Sequence, residues 1–210
     1  HEFGHALHGL LSQCTYRSIS GTNVSRDFVE LPSQIMEHWA GEPEVLKMYA
    51  KHYQTGEVIP QTLIDKLVKA GKFNQGFATS EFIAAALLDM DYHTVLQTGD
   101  IDVNDFEKKA MDKIGLIREI IPRYRSTYFA HAFSWGYSAG YYAYTWAEVL
   151  DADAFEAYKE TGDIFNQEVA RSFRTHILER GNTEEPMKLY LEFRGKEPGI
   201  EPLLKNRGLL

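Results

Sequence analysis

The chain of 210 residues can bury one substantial core, and its 44% hydrophobic and 25% charged residues are those of an ordinary soluble globular protein. A net charge of -8 gives no basic footprint for nucleic acid, and no apolar run reaches the about 18 residues that a membrane span requires. The lone Cys14 excludes an internal disulfide framework and points to a reducing compartment. A cytoplasmic setting is therefore the expectation, with the periplasm left open because a targeting signal would lie upstream of His1.

In chain order the pattern is nearly all helical. His1 to Cys14 carries apolar residues at helical spacing, and the β-branched and turn residues of Thr15–Asn23 read as an extended segment and loop. A second helix is predicted over about 28–40. A third begins at Pro43 and stops before Gly56, and a fourth runs from Pro60 to Ala70 and ends on Gly71. Ser80–Leu96, rich in Ala, Leu and Met, reads as a central buried helix, and Asp102 or Asn104 caps a short helix that runs towards Gly115. An irregular stretch dense in Tyr, Ser and Gly follows, and helices resume over about 140–160, 165–179 and 184–194. No repeat or linker interrupts the pattern. The expectation is one mainly α, multi-helix unit over 1–210 with at most short strand segments. The chain opens inside a helix without an initiator Met, so it reads as a portion of something longer.

His1-Glu2-Phe3-Gly4-His5 is a HExxH motif. Histidines at i and i+4 lie one turn apart on one helix face, where both imidazoles can reach one Zn²⁺. Glu2 sits about 100° round the helix, too far aside for a ligand but able to serve as general base for a water beside the ion. A short motif also occurs by chance, and a metal site without catalysis has the same pattern. A catalytic zinc needs a third protein ligand. His8 shares the face but lies roughly 10 Å along the axis from His1 at about 1.5 Å per residue, which leaves it a supporting or packing role. A carboxylate from the second helix remains: Glu30, its rival Glu37 one heptad on, or a residue outside this chain. Glu30 also has a purely structural reading, since Asp27 and Glu30 have the spacing of a capping box, which Pro32 complicates.

Amide hydrolysis further requires a donor for the charge that develops on the carbonyl oxygen. Tyr137, Tyr141 and Tyr144 follow i, i+4, i+7, so a helix through them would show three hydroxyls on one side. An aromatic core stripe is the commoner meaning of that spacing, although burying three phenols requires three partners. Gly136 and Gly140 frame a loop that could close over a peptide, or are ordinary turn glycines. Arg123 and Arg125 could fork onto a peptide carboxylate, with structural ion pairs as the equal alternative, and Arg174 and Arg180 stand the same way. His38, His52, His93 and His176 read as structural or solvated, and Cys14 as a packed thiol.

HEFGHALHGL, then SGTNVSRDFVELPSQIMEHW, resembles the zinc region of the thimet oligopeptidase family, and FAHAFSWGYSAGYYAYTWAEV resembles that family's substrate-binding loop and helix. The likeness continues through SEFIAAALLDM, PRYRSTYFAHAF, ILERGNTE and NRGL and so covers essentially the whole chain. The resemblance implies one zinc held by His1, His5 and Glu30, with Glu2 as catalytic base. It implies Tyr144 as transition-state donor, with His131 and Tyr137 contacting substrate and Tyr141 and Gly136 beside them. It also implies a zinc metallopeptidase acting on oligopeptides, with release of C-terminal dipeptides expected. The partners expected are the peptide substrates and the enzyme's own N-terminal part, with no nucleic acid and no membrane. An endo-acting oligopeptidase, and a helical metal-binding piece without catalysis, are the alternative readings.

Overall fold

The structure is a computed structural model that describes residues 1–96 and 99–210. Among these residues the regular structure is eleven α-helices with short 3-10 and π turns, and extended pairing is limited to one isolated antiparallel bridge, Lys51 with Val58. The mainly α expectation holds. The described chain divides into two compact units, His1–Phe73 with Ala147–Leu210, and Asn74–Trp146. No helix is long and apolar enough to cross a membrane.

The first unit opens with α1 (Glu2–Leu10), shorter than the sequence pattern suggests, and the segment expected to be extended holds a 3-10 turn at Arg17–Ile19. Backbone bonds from Gln13 N to Glu179 O (2.9 Å) and from Asn182 N to Ile19 O (2.8 Å) hold this segment in place. Helix α2 (Leu31–Gly41) begins later than predicted, with Glu30 at its N-cap position and Pro32 in its first turn. That removes the capping-box reading of Asp27 and Glu30, because the helix starts one residue after Glu30. It also explains Pro32, whose missing N–H costs nothing in a first turn. Helices α3 (Pro43–Tyr49) and α4 (Gln61–Gly71) follow.

The second unit contains α5 (Gln75–Thr94), which starts five residues before the predicted Ser80, and α6 (Val103–Lys113). Asp102 caps α6 as expected, its carboxylate accepting from the amides of Asn104 (3.0 Å) and Asp105 (3.1 Å). A single helical turn, α7 (Ala130–Phe133), precedes a turn-rich stretch, and α8 (Ala143–Lys159) starts in this unit and continues into the first.

Back in the first unit, α9 (Gln167–Phe173) runs into a π-turn at Arg174–Leu178, and α10 (Pro186–Arg194) follows. A last helix, α11 (Glu201–Arg207), lies in a region with no strong apolar period and was not predicted. It is attached through Leu203 against Val149 and Ala152 and through an Arg207–Glu148 ion pair. The core of this unit joins Phe28, Leu31 and Ile35 to Leu150, Phe155 and Tyr158 of α8 and to Phe173, Ile177, Leu189 and Tyr190. The elements on either side of Glu30 are therefore anchored in this apolar cluster.

Candidate functional site

Gly4 is where α1 and α2 meet most tightly. A Cβ at this position would stand 2.3 Å from Pro32 O and 2.6 Å from Ser33 Cα, so only glycine lets the backbones of α1 and α2 come this close. The close approach carries the start of α2 onto the histidine face of α1. His5 Nε2 lies 3.3 Å and His1 Nε2 3.5 Å from Glu30 Oε2, and the three ligand atoms all fall within 4.8 Å of one another. Two ligands each about 2.1 Å from one tetrahedral zinc would be roughly 3.4 Å apart, so this donor set fits a single ion. Two imidazoles and a carboxylate are also a donor set typical of catalytic zinc.

Burial grades across the three. Glu30 is buried, His5 half-buried and His1 exposed, so the centre opens to one side. Glu30 is held by Ser33, whose hydroxyl lies 3.0 Å from Glu30 Oε2 and 2.9 Å from Glu30 O. Glu37, weighed above as a rival ligand, lies outside the cluster: its Oε1 is 2.5 Å from His1 Nδ1. A carboxylate at that distance favours the His1 tautomer with its proton on Nδ1, in which Nε2, the nitrogen on the Glu30 side, keeps its lone pair. Glu2 opens α1 and is exposed.

His8 is wholly buried and stands outside the cluster, in line with its exclusion on axial distance. Burial, and then the neighbouring His5, lower its pKa to about 4, so it is neutral at ordinary pH. Cys14 is a packed thiol, with its sulfur 3.2 Å from Arg180 O. His38 pairs with Asp151 at 2.6 Å and His176 with Glu192 at 3.4 Å, both structural. Arg174 pairs with Glu179 and Arg180 with Glu192.

The aromatic candidates belong to the second unit. The stretch up to Gly140 is irregular, as expected, and no helix runs through all three tyrosines, because Ala139 between them takes a left-handed conformation (φ 53°) that a helix excludes. Only Tyr144 is helical. The rings still converge: Tyr137 stacks on Tyr144 with centroids 5.0 Å apart, and Tyr141 meets Tyr144 edge-on at 5.5 Å. His131 lies edge-on to Tyr144 at 6.2 Å and tilted to Tyr137 at 6.1 Å. Tyr137, Tyr144 and His131 are half-buried and Gly136 is exposed. Tyr141 is only 2% exposed, and its ring is enclosed by Phe82, Tyr124 and Phe129. Its position is that of a core residue behind the other two. Burial, and then the charge of Arg123, lower the pKa of His131, which favours its neutral form. Arg125 is engaged with Glu107 at 2.6 Å, and Arg123 lies 3.9 Å from Glu81.

Gly4, Ser33 and the tautomer-fixing role of Glu37 escaped the sequence reading. A glycine inside a helical pattern was the available signal for Gly4. Ser33, one turn after Glu30, carried none.

The model of peptidase family M3 matches residues 1–209. The dipeptidyl carboxypeptidase of Escherichia coli (strain K12) is 48% identical over 211 residues, and that of Salmonella typhimurium 46%. Oligopeptidase A of Escherichia coli is 39% identical over 217 residues. Each alignment takes in all of this chain and 31% of the relative, so the chain spans about a third of the length of these proteins. With a match over residues 1–209 of 210, the chain belongs to peptidase family M3, a family of metallopeptidases.

Proposed function

We propose that this chain carries the zinc centre of a peptidase that hydrolyses oligopeptides and releases dipeptides from their C-terminus. The observation that carries the reading is the donor set His1, His5 and Glu30, whose 3.3 and 3.5 Å spacings suit one ion. The higher identity to the two dipeptidyl carboxypeptidases favours dipeptide release. The oligopeptidase A relatives favour an endo-acting second reading, which differs in how the peptide's end is accommodated.

Zinc, when bound, supplies a Lewis acid that polarises the scissile carbonyl. Glu2 takes the proton of the attacking water and passes it to the leaving amine nitrogen. Tyr144 donates its hydroxyl to the carbonyl oxygen as negative charge develops there. His131, as a neutral imidazole, and Tyr137 hold the peptide with the exposed backbone at Gly136, while Tyr141 supports their rings from behind. Glu37 keeps His1 in the tautomer that ligates. The partner of this region is the part of the enzyme that corresponds to the relatives' remaining length, and a cytoplasmic setting fits the single thiol.

The test is Glu2→Gln in the intact enzyme. Gln can orient water but cannot accept its proton, so zinc content should stay at the wild-type level while turnover of a short peptide is almost entirely lost. Near-normal turnover by this variant would remove Glu2 from the mechanism.

A further inference from the structure

The proposed substrate-contacting residues sit on a turn that cannot supply its own backbone partners. From Ser134 to Ala143 five amides are satisfied locally: Ser134 N and Trp135 N donate to Ala130 O, Tyr137 N to His131 O, Gly140 N to Tyr137 O, and Ala143 N to Gly140 O. Ala139 N and Tyr141 N are satisfied from outside the turn. Both donate to one side chain of α5, Ala139 N to Asp89 Oδ1 at 3.0 Å and Tyr141 N to Asp89 Oδ2 at 2.9 Å. Asp89 is fully buried, in the stretch of α5 where Ala84, Ala85, Ala86 and Leu88 are buried as well. Its Oδ1 is also 2.9 Å from His93 Nδ1 one turn on.

A buried carboxylate is retained only where hydrogen bonds replace its water, and two backbone amides do that here, while His93 Nδ1 is shared between Asp89 Oδ1 and Asp89 O, 2.8 Å away. The arrangement also explains Ala139, a residue with a side chain held at φ 53° where glycine would be expected. Strain of this kind persists when the surroundings over-determine it, and the two amide bonds straddle that residue. The turn they fix carries Tyr137 on one side and leads straight into Tyr144 on the other, and these two rings are stacked.

Resting on the function proposed above, we infer that Asp89 is a positioning residue for peptide hydrolysis: it latches the turn so that the hydroxyls of Tyr137 and Tyr144 are held ready before substrate arrives. It touches no substrate and acts through the turn's backbone. Positioning of this kind is felt in the rate, since a small misplacement of a group aimed at the transition state lowers kcat more than it weakens ground-state binding.

Amide hydrogen exchange and steady-state kinetics test this together, on wild type and Asp89→Asn. Asn offers one acceptor oxygen and turns an NH₂ towards the second amide, so one latch bond is lost with almost no change in volume. In wild type the amides of Ala139 and Tyr141 should exchange slowly for residues in a turn. In Asp89→Asn they should exchange at least about tenfold faster while Ala84–Leu88 stays protected, and kcat should fall by roughly tenfold or more with KM little changed. In a Tyr144→Phe background the same substitution should cost much less, because Asp89 acts through that hydroxyl. Fast exchange at Ala139 and Tyr141 in wild type would overturn the latch, and this measurement decides even if the variant does not fold. Equal loss of protection along α5, or a kcat loss that adds in full to that of Tyr144→Phe, would reduce Asp89 to a support of the fold. Absence of turnover in the wild-type enzyme would count against the proposed function alone, since the exchange measurement reads the latch without it.

Discussion

The candidate metal centre and the aromatic turn hold a few polar groups in place by opposite means. At the metal centre the holders are two helices pressed together at Gly4, and each candidate ligand sits on, or one residue before, regular structure. At the turn the backbone is irregular, two residues are left-handed, and order is imposed from a distance by one buried carboxylate. The first arrangement suits groups that keep one geometry, since helices braced by a core cannot shift without moving that core. The second suits groups that meet a flexible substrate, because a turn fixed at two amides can be released at a cost far below that of unfolding a helix.

The contrast can be broken most severely at Gly4. In Gly4→Ala the new methyl would meet the Pro32 carbonyl, and neither backbone can yield without separating α1 from α2. Tight zinc binding should be lost although every ligand is still present, as read by metal content after dialysis. Retention of zinc at wild-type affinity would show that the close approach is dispensable.

Tyr144→Phe probes the other region. Removal of one oxyanion donor typically costs on the order of 10²–10³ in rate, so kcat in the intact enzyme should fall by that factor with little change in KM and unchanged zinc content. Phe keeps the ring that stacks on Tyr137. A shift in melting temperature with normal kcat would return Tyr144 to a packing role, and the donor would then be sought at Tyr137 or His131.

A smaller effect is expected at Glu37→Gln. Loss of a carboxylate behind a ligating histidine typically costs about 10–100-fold in metal affinity or activity. Competition with a chelator should reveal weakened zinc binding without a change in stoichiometry. Unchanged affinity would confine Glu37 to a surface contact.

The two regions also differ in how readily the sequence discloses them. Helical period and caps located most of the elements, and His1 and His5 could be paired because helix geometry converts a spacing of four directly into shared direction. Glu30 could be reached from the family resemblance but not from chemistry alone, because the choice between Glu30 and Glu37 depends on where α2 starts. Pro32 marked that start, once read as a first-turn proline. The turn was harder. The i, i+4, i+7 spacing of its tyrosines would gather three hydroxyls only on a helix, whereas the chain is left-handed at Ala139 and the rings converge by another route. Asp89 gave no signal, since a carboxylate fifty residues from the amides it binds has no local pattern. The late helix α11 lacked a clear apolar period and is held by a few residues of α8.

The central claim, that His1, His5 and Glu30 together hold one zinc ion, is tested most directly by titrating zinc into the purified chain and into Glu30→Ala and reading stoichiometry and affinity. The donor geometry predicts one tightly bound zinc per wild-type chain and none bound tightly by the variant. Zinc bound to Glu30→Ala at full stoichiometry and wild-type affinity would contradict it, and the third ligand would have to lie elsewhere.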